Sequence, residues 1–217
     1  MDQPLMTLVM ATSNIGKLRE FQALLAGFPV RLVPLNEVLG EVPKIVESGA
    51  TFEENAVLKA RTVAQLTGMV AMADDSGLEV DALGGRPGVR SARFAHERAT
   101  DAENNAMLLR ELEEIEEAQR SARFRCVLAV VSPWAPQEPL VGEGRCEGFI
   151  ARNPRGSGGF GYDPLFLLPQ PEERTMAELT DAEKNALSHR GRALTDLIPR
   201  FSRFLTLQLE LADRVLA

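Results

Sequence analysis

The chain alternates between short apolar runs and segments with helical spacing. Residues 5–11, LMTLVMA, form an uninterrupted apolar run of strand length, which reads as a buried strand. The polar TSN follows, and Ile15, Leu18, Phe21, Leu24 and Leu25 then recur on one face of a helix over about 15–26. VRLVPL, 30–35, reads as a second strand. Thr51 with Glu54 makes a T-x-x-E capping box, opening a helix that Gly68 closes. MVAMA, 69–73, predicts another buried strand, followed by a polar turn, DDSG. A helix with an acidic outer face is predicted over about 101–119. RFRCVLAVVS, 123–132, is a long strand, and LVGEGRCEGFIA, 140–151, alternates as its antiparallel partner would. A glycine loop, 156–163, leads into the strand-like PLFLL. The last third is helical, about 180–187 and 189–214, with an interruption expected at Pro199. Strands and helices alternate first, then come paired strands, then helices. This order predicts an α/β fold with a mixed central sheet and flanking helices.

Composition narrows the function classes. The 217 residues suit one domain, and no linker or repeat divides them. No apolar run approaches the length of a membrane helix, and the N-terminus starts acidic and lacks the basic region with a small-residue cleavage site of a signal peptide, so none is expected. Cys126 and Cys146 are too few for a disulfide framework and lack metal-ligand spacing, so a reduced, cytoplasmic protein is expected. The net charge of −7 disfavours a nucleic-acid polymer as partner but leaves room for a small anion in a local basic pocket. Of the 24 basic residues only four are lysines, Lys17, Lys44, Lys59 and Lys184. In a chain so biased to arginine, a retained lysine points to a place where a compact ammonium fits and a planar guanidinium does not.

Five stretches could carry chemistry. In ATSNIGK, Ala11–Lys17, a strand enters a helix N-terminus, where free backbone N–H groups favour an anion; Thr12, Ser13 and Asn14 add donors and Lys17 a charge. Helix capping by Ser13 or Asn14 explains the same residues more plainly. In ESGATFEENAVLKA, Glu47 precedes a helix on which Asn55 and Lys59 share a face with Thr62; a solvated face is the plain alternative. In ADDSGLEVDALGG, Asp74 and Asp75 follow a buried strand, a common place for a hard cation. A turn accounts for DSG but not for two adjacent like charges. GSGGFG fits G-x-G-x-x-G, but no helix follows it, so the dinucleotide reading fails. Phe160, flanked by glycines, suits stacking on a flat partner; a buried loop anchor is the other reading. In LSHRG, His189 and Arg190 offer donors at a helix start, whereas His96 lacks such neighbours and reads as a surface residue. Together these are the parts of a Mg²⁺-dependent nucleoside triphosphate enzyme.

The blocks TSNIGK, TFEENAVLKA, ADDSGLEVDALGG with PGVRSARF, GGFGYDPLF and AELT with EKNALSHRG stand in an order and spacing that resemble the inosine triphosphate pyrophosphatase family across nearly the whole chain. The resemblance implies an elongated, two-lobed α/β homodimer with the active site in the cleft between the lobes. It implies Mg²⁺-dependent hydrolysis of (deoxy)inosine and xanthosine triphosphates to the monophosphate and pyrophosphate, clearing them from the nucleotide pool. On that basis Thr12, Ser13, Asn14, Ile15, Gly16 and Lys17 would cradle the triphosphate. Asp75 would activate water, and Glu47 and Asp75 would hold Mg²⁺ with support from Asp74. Lys59 would lie against the phosphates, with Asn55 beside it on the same helix face, and Ser76 would touch the substrate. Phe160, Gly161, Tyr162 and Asp163 would shape the nucleoside pocket, completed by Lys184, His189 and Arg190. Ser13 departs from the glycine frequent in the family and leaves the detail of that phosphate contact open. Two further readings are a pyrophosphatase for other modified nucleotides and a non-catalytic nucleotide sensor. Purine and pyrimidine substrates would separate the first, and Mg²⁺-dependent turnover the second.

Overall fold

The computed structural model describes residues 6–12, 14–43, 45–170 and 173–216, with side chains described up to residue 208. Six strands form one sheet in the order β2-β1-β3-β4-β5-β6. They are β1 (Met6–Met10), β2 (Val30–Pro34), β3 (Ala71–Val80), β4 (Ser121–Val131), β5 (Leu140–Ile150) and β6 (Phe166–Leu167). The helices are α1 (Ile15–Leu24), α2 (Leu35–Val38), α3 (Phe52–Thr67), α4 (Asp101–Glu111), α5 (Asp181–Leu187) and α6 (His189–Leu216). β1 runs parallel to β2 and to β3, whereas β5 and β6 pair antiparallel. The sheet is therefore mixed, as the element order predicts.

The chain forms two compact units. The first comprises Met1–Asp75, Val127–Glu143 and Ala193–Ala217, and the second Ser76–Cys126 and Gly144–Arg192. In the first, the apolar run of β1 buries Leu8, Val9 and Met10 completely. The same unit also fully buries Phe21 of α1, Ala56, Ala60 and Val63 of α3, and Leu197 and Phe201 of α6. In the second, Leu78, Leu108, Leu112, Phe124, Ile150, Tyr162, Leu165 and Phe166 belong to one apolar cluster.

Three element predictions are corrected. DDSG is no turn: Asp74, Asp75, Ser76 and Gly77 lie inside β3. Turn chemistry predicts solvated aspartates, but both carboxylates are buried and ion-paired, so the extended backbone continues. The acidic helix ends at Glu111 rather than near 119, with Leu112 as its C-cap and a short 3₁₀ turn at Glu117–Gln119. Glu113, Glu114, Glu116 and Glu117 would put negative charge on the negative end of the helix dipole. The buried Arg120 side chain instead donates to the carbonyls of Leu112 and Ile115. Third, α6 continues through Pro199. The proline forfeits one helical hydrogen bond, and the buried Leu194, Leu197, Phe201 and Leu205 on both sides of it hold the helix together. The strand-like PLFLL contributes only Phe166–Leu167 to the sheet.

Candidate functional site

The capping box of α3 forms as the sequence predicts. Thr51 Oγ1 accepts the Glu54 N–H at 3.1 Å, and the Glu54 carboxylate accepts the N–H groups of Ala50 at 2.6 Å and Thr51 at 3.2 Å. This fixes the start of α3 and with it the direction of Asn55 and Lys59. Their face is not solvated: Asn55 is fully buried and Lys59 is 8% exposed. Asn55 Oδ1 accepts the Gly49 N–H at 2.8 Å, and its Nδ2 donates to Asp75 Oδ2 at 3.1 Å. One amide thus ties the loop before α3 to β3. A Cβ on Gly49 would lie 2.7 Å from Asn55 Oδ1 and from Glu54 Cβ, so only glycine permits this approach.

The Lys59 ammonium bridges two carboxylates, donating to Glu47 Oε1 at 2.8 Å and to Asp75 Oδ1 at 3.1 Å. Burial works to lower the Lys59 pKa, but Asp75, Asp74 and Glu47 more than offset it and hold the ammonium charged. For Asp75, burial pushes the carboxyl pKa up; Lys59 opposes that shift and Glu47 adds to it. Adjacent residues on a strand project to opposite faces. Asp74 accordingly finds a different partner, with its Oδ2 lying 2.7 Å from Lys17 Nζ. The neighbouring like charges of the sequence are thus each compensated by a separate lysine.

Lys17 lies in the first turn of α1. Asn14 is the N-cap, accepting the Lys17 N–H at 3.0 Å, and Thr12 Oγ1 accepts the Asn14 N–H at 3.1 Å. The capping explanation of this stretch is therefore correct for Asn14. It coexists with the anion reading, because helix geometry still leaves the Ile15 and Gly16 N–H groups without intrahelical acceptors. Ile15 is 65% exposed, so its contribution there is backbone. Ser13 lies outside the described residues.

In the second unit the glycine loop gathers the other group. Phe160 lies beside two cations, with Lys184 Nζ 4.6 Å and Arg190 Cζ 5.0 Å from its ring centroid. Asp163 Oδ2 accepts from Lys184 Nζ at 2.7 Å and from the Phe160 N–H at 2.9 Å. Asp163 and Lys184 are both buried. Burial raises the Asp163 pKa, against the pull of Lys184. Arg190 Nη2 donates to Ser76 Oγ at 3.0 Å, and the His189 ring stacks on Phe124 at 4.8 Å. Tyr162 goes elsewhere: its ring belongs to the apolar cluster, and its hydroxyl donates to the Ser91 carbonyl at 2.8 Å. It supports the loop from beneath. Gly161 has φ +62°, which glycine adopts without strain. Its N–H and carbonyl are held by Asp101 and Asn105 of α4, two residues that no sequence motif singled out. His96 is exposed, as its sequence context predicts, 3.4 Å from Glu103.

Among the described residues no group of three or more His, Cys, Asp and Glu side chains is placed to hold a metal ion alone. The donor chemistry nevertheless fits Mg²⁺, which is commonly bound by one or two carboxylates while phosphate oxygens and water complete its shell. Glu47 and Asp75 are two such hard-oxygen donors, brought together on one ammonium.

The family model of the Ham1 family matches residues 8–200. The dITP/XTP pyrophosphatase of Geobacillus kaustophilus is 53% identical over 190 residues, 88% of this chain and 91% of that protein. The dITP/XTP pyrophosphatase of Escherichia coli O157:H7 is 51% identical, covering 88% of this chain and 95% of that one. The solved HAM1 protein of Coxiella burnetii superposes with a TM-score of 0.81 at 46% identity, over 93% of this chain and 99% of that chain. A nucleoside-triphosphatase / dITP/XTP pyrophosphatase of Mycobacterium abscessus gives 0.71 at 47% identity, over 89% and 100%. With the family match spanning nearly the whole chain, this protein belongs to the Ham1 family.

Proposed function

We propose that the protein is a nucleoside-triphosphate pyrophosphatase, hydrolysing ITP, dITP and XTP to the monophosphate and pyrophosphate with Mg²⁺. The observation that carries this reading is the buried Lys59 ammonium shared by Glu47 and Asp75. A charged lysine and a carboxylate buried together, with a second carboxylate half-buried beside them, suit phosphate chemistry and are costly for stability alone. The names of the relatives, dITP/XTP pyrophosphatases at about half identity, agree with it.

In this reading the Ile15 and Gly16 N–H groups and the Lys17 and Lys59 ammoniums bind the phosphates as a leaving group. Thr12, Ser13 and Asn14 complete the cradle. Asp75, its carboxyl pKa raised by burial, takes a proton from the water that attacks the α-phosphorus. Asn55 and Lys59 orient that carboxylate. Glu47 and Asp75 would hold Mg²⁺ with Asp74 in support, and the ion would supply charge neutralisation at the phosphate oxygens. Phe160 offers a stacking face for the base, with Lys184 and Arg190 beside it, Asp163 holding Lys184 in place and His189 completing the pocket. Ser76 touches the substrate from the Arg190 side. The enzyme acts as a cytoplasmic homodimer, as the resemblance implies. No described helix is long and apolar enough to cross a membrane.

The test is turnover of ITP and XTP with and without Mg²⁺, followed by product analysis. Pyrophosphate should appear, and orthophosphate only after an inorganic pyrophosphatase is added. Direct release of orthophosphate with a nucleoside diphosphate would overturn the bond assignment. No turnover of any nucleotide would overturn the enzyme reading.

A further inference from the structure

Gly161 follows Phe160 directly, and both polar groups of that glycine are engaged by one helix. Its N–H donates to Asp101 Oδ2 at 2.7 Å, and its carbonyl accepts from Asn105 Nδ2 at 2.9 Å. Asp101 and Asn105 are four apart on α4, so they share a face and grip the residue from two directions. Packing does not explain the arrangement. A Cβ built on Gly161 meets nothing within 4 Å, and Asp101 is exposed. Asn105 also carries a cost, since its Oδ1 is buried with no partner among the described residues. Residues 156–159 are exposed, and other ties of the loop, the Gly158 N–H to the Ala177 carbonyl at 3.0 Å and the Phe160 N–H to Asp163 Oδ2 at 2.9 Å, do not reach α4.

We propose that Asp101 and Asn105 are positioning residues that clamp Gly161 and thereby fix the Phe160 ring as a stacking surface for the nucleobase. The proposal rests on the nucleotide reading above. α4 enters the function through this face, although its sequence reads only as an acidic surface helix. The clamp spares the substrate the work of ordering a glycine-rich loop, so its loss weakens nucleotide binding more than it slows chemistry.

Asp101→Ala, Asn105→Leu and the double variant test this, with Asp101→Asn as the conservative control that retains an acceptor. Amide hydrogen exchange is followed in the ligand-free protein, KM and kcat are measured for ITP, and the Kd of inorganic tripolyphosphate is determined. The double variant should speed exchange over residues 157–163 at least tenfold while the interior of α4 around Leu108 is unchanged. KM for ITP should rise about tenfold with kcat within about twofold, since misplacement of a binding group is costly even without loss of chemistry. Tripolyphosphate, which has no base, should bind as to the wild type, and Asp101→Asn should behave nearly as the wild type. Unchanged loop exchange in both single variants overturns the clamp. A fall in kcat at constant KM, weaker tripolyphosphate binding, or Asp101→Asn as damaging as Asp101→Ala overturns its role in base placement. Should the wild type turn over no nucleotide, the functional reading fails on its own, while loop exchange still decides the clamp. If the double variant loosens α4 itself, the single Asp101→Ala at the exposed position carries the test.

Discussion

At the scale of single residues, Asp75 and Lys59 make the sharpest demands. Asp75→Asn keeps the size of the side chain, but its single amide oxygen can accept from only one of Asn55 and Lys59, and it removes the proton acceptor and one unit of charge. Turnover of ITP should fall by ~10²–10⁴ while nucleotide binding largely survives. A variant keeping more than about a tenth of wild-type activity would place the base elsewhere. Lys59→Arg keeps the charge and should fail as well. The buried ammonium lies within 3.1 Å of both Glu47 and Asp75, and a longer planar guanidinium cannot occupy that point. In the proposed reading, base choice rests with other residues. Hypoxanthine and xanthine carry a carbonyl acceptor at position 6, where adenine carries an amino donor. Arg190 and His189 supply donors, and sites built on such bonds can reject the wrong partner by ~10⁴-fold. Arg190→Ala should narrow the ratio of kcat/KM for ITP to that for ATP. Phe160→Ala should lower kcat/KM for ITP, XTP, GTP and ATP in step, since stacking at ~1–3 kcal/mol per base does not read the edge. The reverse pattern would exchange the two assignments.

At the scale of elements, close approach of backbone to backbone sets the tolerances. β5 meets α6 at Gly142. A Cβ there would lie 2.6 Å from the Ala193 carbonyl oxygen and 2.7 Å from Leu197 Cβ, atoms that side-chain rotation cannot move away. Gly142→Ala should therefore destabilise by about 1–3 kcal/mol, the usual cost of overpacking, with a matching fall in the denaturation midpoint. Gly27→Ala is the contrast, since a Cβ there meets nothing within 4 Å and the backbone angle is unexceptional. Equal stabilities for the two variants would mean that β5 and α6 have room to separate. The same scale explains where helices stop. α3 carries both signals, a capping box at Thr51 and a left-handed Gly68, and runs between them as the sequence predicts. The C-terminus of α4 has no glycine, and the buried arginine that ends it comes from the residue just ahead of β4.

For the whole molecule, the titration of buried groups links stability to pH. Burial pushes the Cys146 thiol up to about 11, from an ordinary value of 9.0. The folded chain therefore keeps a proton that the unfolded chain gives up between those values. This contribution is complete below pH 9 and is lost as pH rises towards 11, by at most about 3 kcal/mol. Chemical denaturation at pH 8 and pH 10.5 should show a decline that is shallower in Cys146→Ala; equal slopes would remove the thiol from the account. Burial raises the Tyr162 hydroxyl as well and works in the same direction. How much of this molecule its sequence determined depends on the range of each interaction. Apolar runs, helical periodicity and the Thr51–Glu54 box act over a few residues, and they sufficed for the mixed α/β fold and most element boundaries. The candidate residues were also legible, because compact polar blocks stand out in an otherwise ordinary chain. Their arrangement was not. DDSG has the local chemistry of a turn, and only Lys17 and Lys59, arriving from two different helices, neutralise its aspartates and keep it a strand. Tyr162 stands two residues from Phe160 in the same glycine loop, yet one ring enters the apolar cluster and the other lies beside two cations. Asp101 and Asn105 carry no motif at all and gain their place only when the chain brings Gly161 to them. Buried charges and backbone amides take whatever partner folding delivers, and those partners lie far along the chain, beyond the reach of local pattern.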